Sequence, residues 1–415
     1  MKISGFLIPL STTCNALQGS PFYAGIEEMK DRVSDLSRYL LSNSDFTENI
    51  AVSPLNVFSA LKVLQESTSG AARDELDAAF GTENGNRLEN LITQYHGELF
   101  KLKMVNRIFY QKIDNENAKE PANSLQDFTE VFDFRNPLLN PLHINKYIEQ
   151  RTKGKIEEVF PKPIDPDTLF LLISTLYYKA SWASSFEYTT VCWKNSLMGA
   201  SLPCEDRDGF VGTDFFNMFF DWKGERPFRV VELPLTLPKE TKNKFEPLKK
   251  PFSVLQIWVP NNVLETEQDH REFLNLMETE KKTIAQEMSD SRVRLVVPKF
   301  SISTEIDLKE MFYQHNVTSI LAPGHHLGPI YGDNDPITSL NEAKHVVQLD
   351  VDEYGIEGAA VTAFSMMYRS FPTPFNIDRP FYFRLILKTA DPSMPENDVE
   401  IFSGRVVNPW KTRLF

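Results

Sequence analysis

The chain has 415 residues, 41% of them hydrophobic and 24% charged, which allows a sizeable core and, by length alone, two or three domains. Its formal charge of -13 argues against a nucleic-acid surface and against broad binding to anionic membranes. No run of about eighteen apolar residues occurs, so no membrane-crossing helix is expected.

In chain order, the N-terminus reads MKISGFLIPLSTTCNALQG: one lysine, a short apolar stretch from Ile3 to Leu10, then Cys14-Asn15-Ala16. That is the layout of a secretory leader cut after residue 16, although Ser4, Gly5 and Pro9 leave its apolar centre poor and a plain disordered tail is the alternative. Cleavage there leaves Cys192 and Cys204, with which a disulfide and two free thiols are equally consistent.

Residues 24–41 carry Ile26, Met29, Val33, Leu36 and Leu40 at three- and four-residue steps, one face of an amphipathic helix. Ser53-Pro54 predicts a second helix, capped by the serine and burying Val57, Leu61 and Leu64. RDELDAAF (residues 73–80) predicts a third, closed by Gly81. LFLLISTLYY (169–178) is nearly all apolar, as suits a strand covered on both faces. SRVRLVVPKF (291–300), FSVLQIWVP and PFYFRLILK also read as strands. The lysine-rich stretch 237–251 reads as a solvated loop. Asn316-Val317-Thr318 is a glycosylation candidate, a motif that also arises by chance. No repeat and no long linker appear, so residues 17–415 read as one mixed α+β domain, helices mostly early and strands mostly late.

No Gly-x-Ser-x-Gly elbow, phosphate-binding glycine loop or His-Glu-x-x-His is present, which argues against a conventional enzyme. His325-His326, near Asp333 and Asp335, is the one metal-like group. Adjacent residues seldom face one ion, so it reads as a loop, and no metal or cofactor is expected.

One segment fits neither helix nor ordinary loop: DVDEYGIEGAAVTAFSMMYRSFPTPF, residues 350–375. As a strand, its even positions (Ile356, Gly358, Ala360, Thr362, Phe364) are small or apolar, while the odd ones carry Glu357 and Arg369. Taken alone it could be an edge strand leading into a turn.

Here the sequence resembles the serpin family, from about residue 22 to the end. The resemblance rests on VSPLNVFSALKVLQESTSGAARDEL, VNRIFYQK, INKYIEQRTKGKIEEVF, LYYKASW, VPKFSISTEIDLKEMF, DVDEYGIEGAAVTA, NIDRPFYF and FSGRVVNP, in that order. It implies one domain of three sheets and eight or nine helices with an exposed reactive-centre loop at about 353–375. It also implies a secreted, monomeric suicide inhibitor of trypsin-like serine proteases, with a place in an extracellular cascade such as clotting or innate immunity. The cut loop would enter the central sheet as a new strand. Ladder bonds worth about 0.5–1.5 kcal/mol each would sum to roughly 10 kcal/mol or more over a loop of this length.

By the family's spacing Glu353 is the hinge glutamate, and the scissile bond falls sixteen residues on, at Arg369-Ser370. Arg369 is the only basic residue between Glu353 and Arg379, and would pair with the buried carboxylate of a trypsin-like pocket. Tyr368 or Met367, facing a chymotrypsin-like enzyme, are the alternatives. The hinge comprises Gly355, Ile356, Glu357, Gly358, Ala359, Ala360 and Thr362; no proline interrupts the segment before Pro372. The resemblance further assigns sheet-opening control to Lys299 (paired with Glu353), Trp182, His345, Ser53, Asn56 and Ser174. Three departures stand out: Ile356 where inhibitory members carry threonine or serine, Asn56 for a serine, and Ser174 for an asparagine. The last two could have exchanged roles. The stretch RLENLITQYHGELFKLK is lightly basic, which argues against glycosaminoglycan activation. The competing reading is a non-inhibitory carrier, storage or chaperone-like member cut as a plain substrate.

Overall fold

The computed structural model describes residues 21–82, 102–111, 121, 123–136, 139–178, 180–193, 205–220, 224, 226–236, 253–332, 337–356, 371–388 and 398–410. Helix α1 (Pro21–Ser42) turns Val33, Leu36, Leu40 and Leu41 into the core. After the short strand β1 (Ile50–Val52) comes α2 (Pro54–Ser67), in whose first turn the amide of Asn56 donates to the Ser53 hydroxyl at 3.3 Å. Helix α2 is buried almost all round. Even Lys62 is inside, where its ammonium donates to the carbonyls of Phe80 (3.1 Å) and Gly81 (2.7 Å) at the end of α3 (Gly70–Phe80). The third helix therefore starts three residues before the Arg73 of its sequence pattern, and ends, as expected, at Gly81, which has φ +77°.

Next come β2 (Leu102–Gln111), β3 (Thr129–Phe132), α4 (Asn140–Arg151) and β4 (Phe170–Tyr178). Strand β4 shows why its sequence is continuously apolar. Phe170, Leu172 and Leu176 enter the main core, while Leu171 and Ile173 face a second core with Ile144 and Ile148 of α4. The chain continues through β5 (Ala180–Trp182), β6 (Glu187–Trp193), β7 (Glu205–Phe220), β8 (Phe228–Thr236) and β9 (Ser253–Pro260).

Helix α5 (Glu267–Glu287) then appears where the sequence pattern assigns none and favours mostly strands. Its signal lies in a capping box, Thr266 with Asp269, followed by Phe273, Leu274, Met277 and Ile284 on one buried face. The predicted strand 291–300 is also divided. Strand β10 (Ser289–Pro298) pairs with β7, whereas β11 (Phe300–Asp307) pairs with β12 (Glu342–Asp352), leaving Lys299 at the junction of two sheets. Helices α6 (Leu308–Gln314) and α7 (Gly328–Tyr331) precede β12, and β13 (Gly355–Ile356), β14 (Thr373–Asn376), β15 (Phe381–Leu387) and β16 (Val399–Val406) follow it.

Among the described residues the sixteen strands form one hydrogen-bonded network with three regions. The central one runs β3-β2-β4-β12-β11, with β3–β2 and β4–β12 parallel and β2–β4 and β12–β11 antiparallel. A second is the antiparallel run β1-β16-β15-β9-β8. The third is β6-β7-β10-β14. Seven α-helices are described, and the architecture is the mixed α+β one expected from the sequence.

Candidate functional site

The seam between β4 and β12 is the feature on which the rest turns. Six residue pairs close it, from Leu171↔Glu342 to Leu176↔Val347. Beyond that point β12 leaves β4, and β13 lies between β12 and β5. Ile356 is opposite Val351 on β12 and Ala180 on β5; Gly355 is opposite Asp352 and Ser181. Two residues of the hinge are thus already strand in the intact chain, and Ile356 is only 1% exposed.

A tight turn makes this possible. The Asp352 carboxylate accepts the amides of Tyr354 (2.8 Å) and Gly355 (3.2 Å), an Asx-type closure, and burial raises its pKa above the usual carboxylate range. Gly355 has φ +141°, and a Cβ there would stand 2.3 Å from the carbonyl oxygen of Ala180. Trp182 fastens the turn from the β5 side: its indole N–H donates to the Asp352 carbonyl at 2.7 Å and its amide to the Tyr354 carbonyl at 3.2 Å.

Lys299 Nζ lies 2.6 Å from Glu353 Oε2, a charge contact rather than an aligned hydrogen bond, with Glu353 the more buried partner. The same ammonium sits 5.2 Å from the ring centroid of Tyr188. The Tyr188 hydroxyl donates to Asp208 Oδ1 at 2.6 Å, and the Lys299 amide donates to the Asp208 carbonyl at 3.1 Å. Asp352 lies within a sequence motif that gives it no role, and Tyr188 lies in none of the motifs.

Lower down, Ser53, Asn56, Ser174 and His345 are all completely buried and meet across the seam. His345 Nε2 accepts the Ser53 amide at 3.0 Å, so the proton belongs on Nδ1, which faces Ser174 Oγ at 3.2 Å. Asn56 Nδ2 donates to the same Ser174 oxygen at 2.8 Å, and the Ser53 hydroxyl donates to the Ile401 carbonyl at 2.7 Å. Burial depresses His345 to about 3, so the ring is neutral. His345 and Ser174 are register partners, so their side-chain contact straddles the line along which the two strands would separate.

Arg369, Ser370, Glu357, Gly358, Ala359, Ala360 and Thr362 lie outside the described residues, as do residues 1–16, 237–251, Cys204 and most of the lightly basic stretch. The chain is described again at Phe371, which is fully exposed, and β14 anchors it beside β10. Cys192 is disulfide-bonded. Asn316 is exposed in a turn after α6, at φ +59°. His326 Nε2 contacts the Ala322 carbonyl at 3.0 Å, and among the described residues no group of three or more His, Cys, Asp or Glu is arranged to hold a metal.

A mixed fold with a parallel seam in its central sheet, parted at one end by the short strand β13, is the class of protein this geometry defines. The family model for "Serpin (serine protease inhibitor)" matches residues 34–409, and the chain belongs to that family. It is 24% identical over 375 residues to alaserpin of Manduca sexta, covering 87% of this chain and 88% of that one. It is likewise 24% identical over 414 residues to human neuroserpin, covering 92% of each. In structure it resembles human thyroxine-binding globulin complexed with thyroxine, with a TM-score of 0.72 at 20% identity over 94% of this chain and all of that one, a likeness of fold.

Proposed function

We propose that the chain is a suicide-substrate inhibitor of trypsin-like serine proteases, with its scissile bond at Arg369-Ser370. The observation that carries this reading is the entry of Gly355 and Ile356 between β5 and β12, ahead of any cut. The protease serine attacks the Arg369 carbonyl, the Arg369–Ser370 amide bond breaks, and an ester joins Arg369 to the protease while the proton leaves on the Ser370 amine. The freed hinge then extends β13 down the seam before water resolves the ester.

The registers favour such an extension. Ala180 and Val351, the two partners of Ile356, differ by 171 in sequence, as do Leu171 and Glu342 in the closed seam. A strand continued from Ile356 would therefore keep step with both neighbours, without a slip. Counted down the antiparallel ladders, Thr362 arrives opposite Ser174 and His345, on the same face as the buried Ile356. Asn56 Oδ1, buried there with no hydrogen-bond partner among the described residues, could take the threonine proton. Ile356, unusual for an inhibitory member, is already packed in the core, so its slower burial need not be part of the race.

The same reading takes residues 1–16 as a leader, 17–415 as one secreted domain, Cys204 as the partner of Cys192, and Asn316 as a glycan acceptor. Loss of the leader would leave Cys204 as the only other cysteine, and Asn316 is exposed. The test of function is incubation with trypsin on a denaturing gel. A band at the summed mass with new N-terminus Ser370 is expected; complete cleavage without that band would refute inhibition.

A second reading, a carrier, has one observation of its own. A cavity of about 260 Å³ opens between α1, α5, β15 and β16, with Val33, Ile386 and Val399 in its lining. Among the described residues Glu400 Oε1 is buried there without a hydrogen-bond partner, although Arg384 Nε donates to the other oxygen at 2.5 Å. Thyroxine-binding globulin, as its name says, binds thyroxine. Carriage with no trapped protease would make this reading the better one.

A further inference from the structure

The contact between Lys299 and Glu353 is held from a direction that the sequence gives no hint of. Lys299 is a single residue between β10 and β11, carried on a long flexible side chain whose ammonium has several places to go. The β6–β7 hairpin takes it at two points. The carbonyl of Asp208 on β7 accepts the Lys299 amide, and the ring of Tyr188 on β6 faces the ammonium at 5.2 Å. The Asp208 carboxylate fixes that ring through the Tyr188 hydroxyl at 2.6 Å. Asp208, Tyr188, Lys299 and Glu353 thus form a continuous chain from the hairpin to the turn that feeds β13.

Packing does not account for this tyrosine. It is 57% exposed and lies outside both apolar cores, so neither burial nor cavity filling requires an aromatic there. What it does touch is the cation of the pair and the carboxylate that orients the ring.

We infer that Tyr188 is a positioning residue for loop insertion: it confines the Lys299 ammonium to Glu353 and so keeps the hinge turned into the gap between β5 and β12. The inference deepens the inhibitory reading and rests on it for its functional consequence, but the positioning itself can be read in the uncut protein. Without the ring, Lys299 swings to solvent more often, the turn at Glu353 loosens, and Gly355-Ile356 leaves the gap more of the time. A loop that starts the race outside the gap is hydrolysed more often before it is trapped.

The experiment uses the full chain as wild type, Tyr188→Ala and Tyr188→Phe, and reads three quantities: amide hydrogen exchange at Gly355 and Ile356, the urea midpoint, and the fraction of cleaved molecules that retain trypsin on a denaturing gel. An exposed cation–π contact predicts about a two- to five-fold loss of hinge protection in Tyr188→Ala. The urea midpoint should stay at the wild-type value, and the trapped fraction should fall. Tyr188→Phe keeps the ring and should lie between the two. Unchanged hinge exchange in Tyr188→Ala overturns the inference, and so does a loss of protection spread evenly over the sheet with a lowered midpoint, which would mark a merely structural role. If wild type is cleaved without trapping trypsin, the inhibitory reading fails, while hinge exchange still decides the role of Tyr188.

Discussion

Replacing Gly355 with alanine tests whether the hinge truly rests inside the sheet. The new Cβ would stand 2.3 Å from the Ala180 carbonyl oxygen, 2.7 Å from Ser181 Cα and 3.1 Å from the Trp182 amide nitrogen. All three are backbone atoms, so no side-chain rotation relieves the clash, and φ +141° is itself closed to alanine. The hinge must therefore leave the gap. Holding it there in the wild type is the burial of Ile356, about 1.5–3 kcal/mol, plus one ladder rung on each side at about 0.5–1.5 kcal/mol. The sum, about 2.5–6 kcal/mol, corresponds to withdrawal in roughly one molecule in 10² to 10⁴. Hydrogen exchange reads this directly. The Ile356 amide of the wild type should be protected by at least about a hundred-fold relative to a free peptide, and Gly355→Ala should bring it close to the free-peptide rate. Amides along β4 and β12 from Leu171 to Leu176 and Glu342 to Val347 should keep their protection, because that seam closes without the hinge. If Ile356 stays protected in Gly355→Ala, the geometry assigned to the hinge is wrong.

Three further predictions concern the same site. His345 is depressed in the folded state to about 3, so the unfolded chain binds the extra proton between that value and about 6.5; stability is therefore full above pH 6.5 and falls as the pH drops, by about 2 kcal/mol from this residue at pH 5. A urea midpoint that does not fall between pH 7 and pH 5, or that falls equally in His345→Gln, would contradict it. Glu353→Lys sets two ammonium groups against each other at a partly buried site and should destabilise by about 1–3 kcal/mol, with Lys299→Glu in the same chain restoring most of the loss, as a double-mutant cycle in chemical denaturation would report. Thr362→Arg should leave the intact protein as stable as wild type yet abolish the rise in melting temperature on loop cleavage, since the guanidinium would arrive beside the buried His345; an undiminished rise would mean that the strand does not enter in the inferred register.

Some of this is legible in the sequence because it is enforced locally. Ser53-Pro54 specifies the start of α2 through its own hydroxyl and ring, and β4 is apolar throughout because Phe170, Leu171, Leu172 and Ile173 serve two cores in alternation. The family motifs supply the pairing of Lys299 with Glu353 and of His345 with Ser53, neither of which periodicity could give. Other features depend on contacts that sequence spacing does not encode. Residues 291–300 look like one strand, but the chain changes sheets at Lys299 because its flanks find different partners, β7 and β12. Helix α5 carries a readable cap that its strand-like neighbours obscure. Tyr188 meets Lys299 from more than a hundred residues away, and the part-entered hinge depends on the Asp352 carboxylate capturing two amides of its own turn.

The part-entered hinge changes what limits the reaction proposed for this chain. A loop that began wholly outside the sheet would first have to part β5 from β12 and bury its leading side chain, with no ladder yet formed to offset the cost. Here that step is complete, and Trp182, Asp352 and the Lys299–Glu353 contact hold the result. What remains is exchange along the seam. Each pair broken between Leu171–Leu176 and Glu342–Val347 is replaced by pairs on both flanks of the incoming strand, in a register that already matches. The hardest point should be the buried Ser174–His345 contact, where a side-chain link must open as well as a backbone rung. Small residues at Gly358, Ala359 and Ala360 lead the strand to that point, and a hydroxyl at Thr362 would arrive as the contact breaks. The barrier to trapping then lies at mid-seam rather than at the hinge. Substitutions at Ser174 or His345 should accordingly change the speed of trapping more than substitutions of Ile356 that preserve its burial.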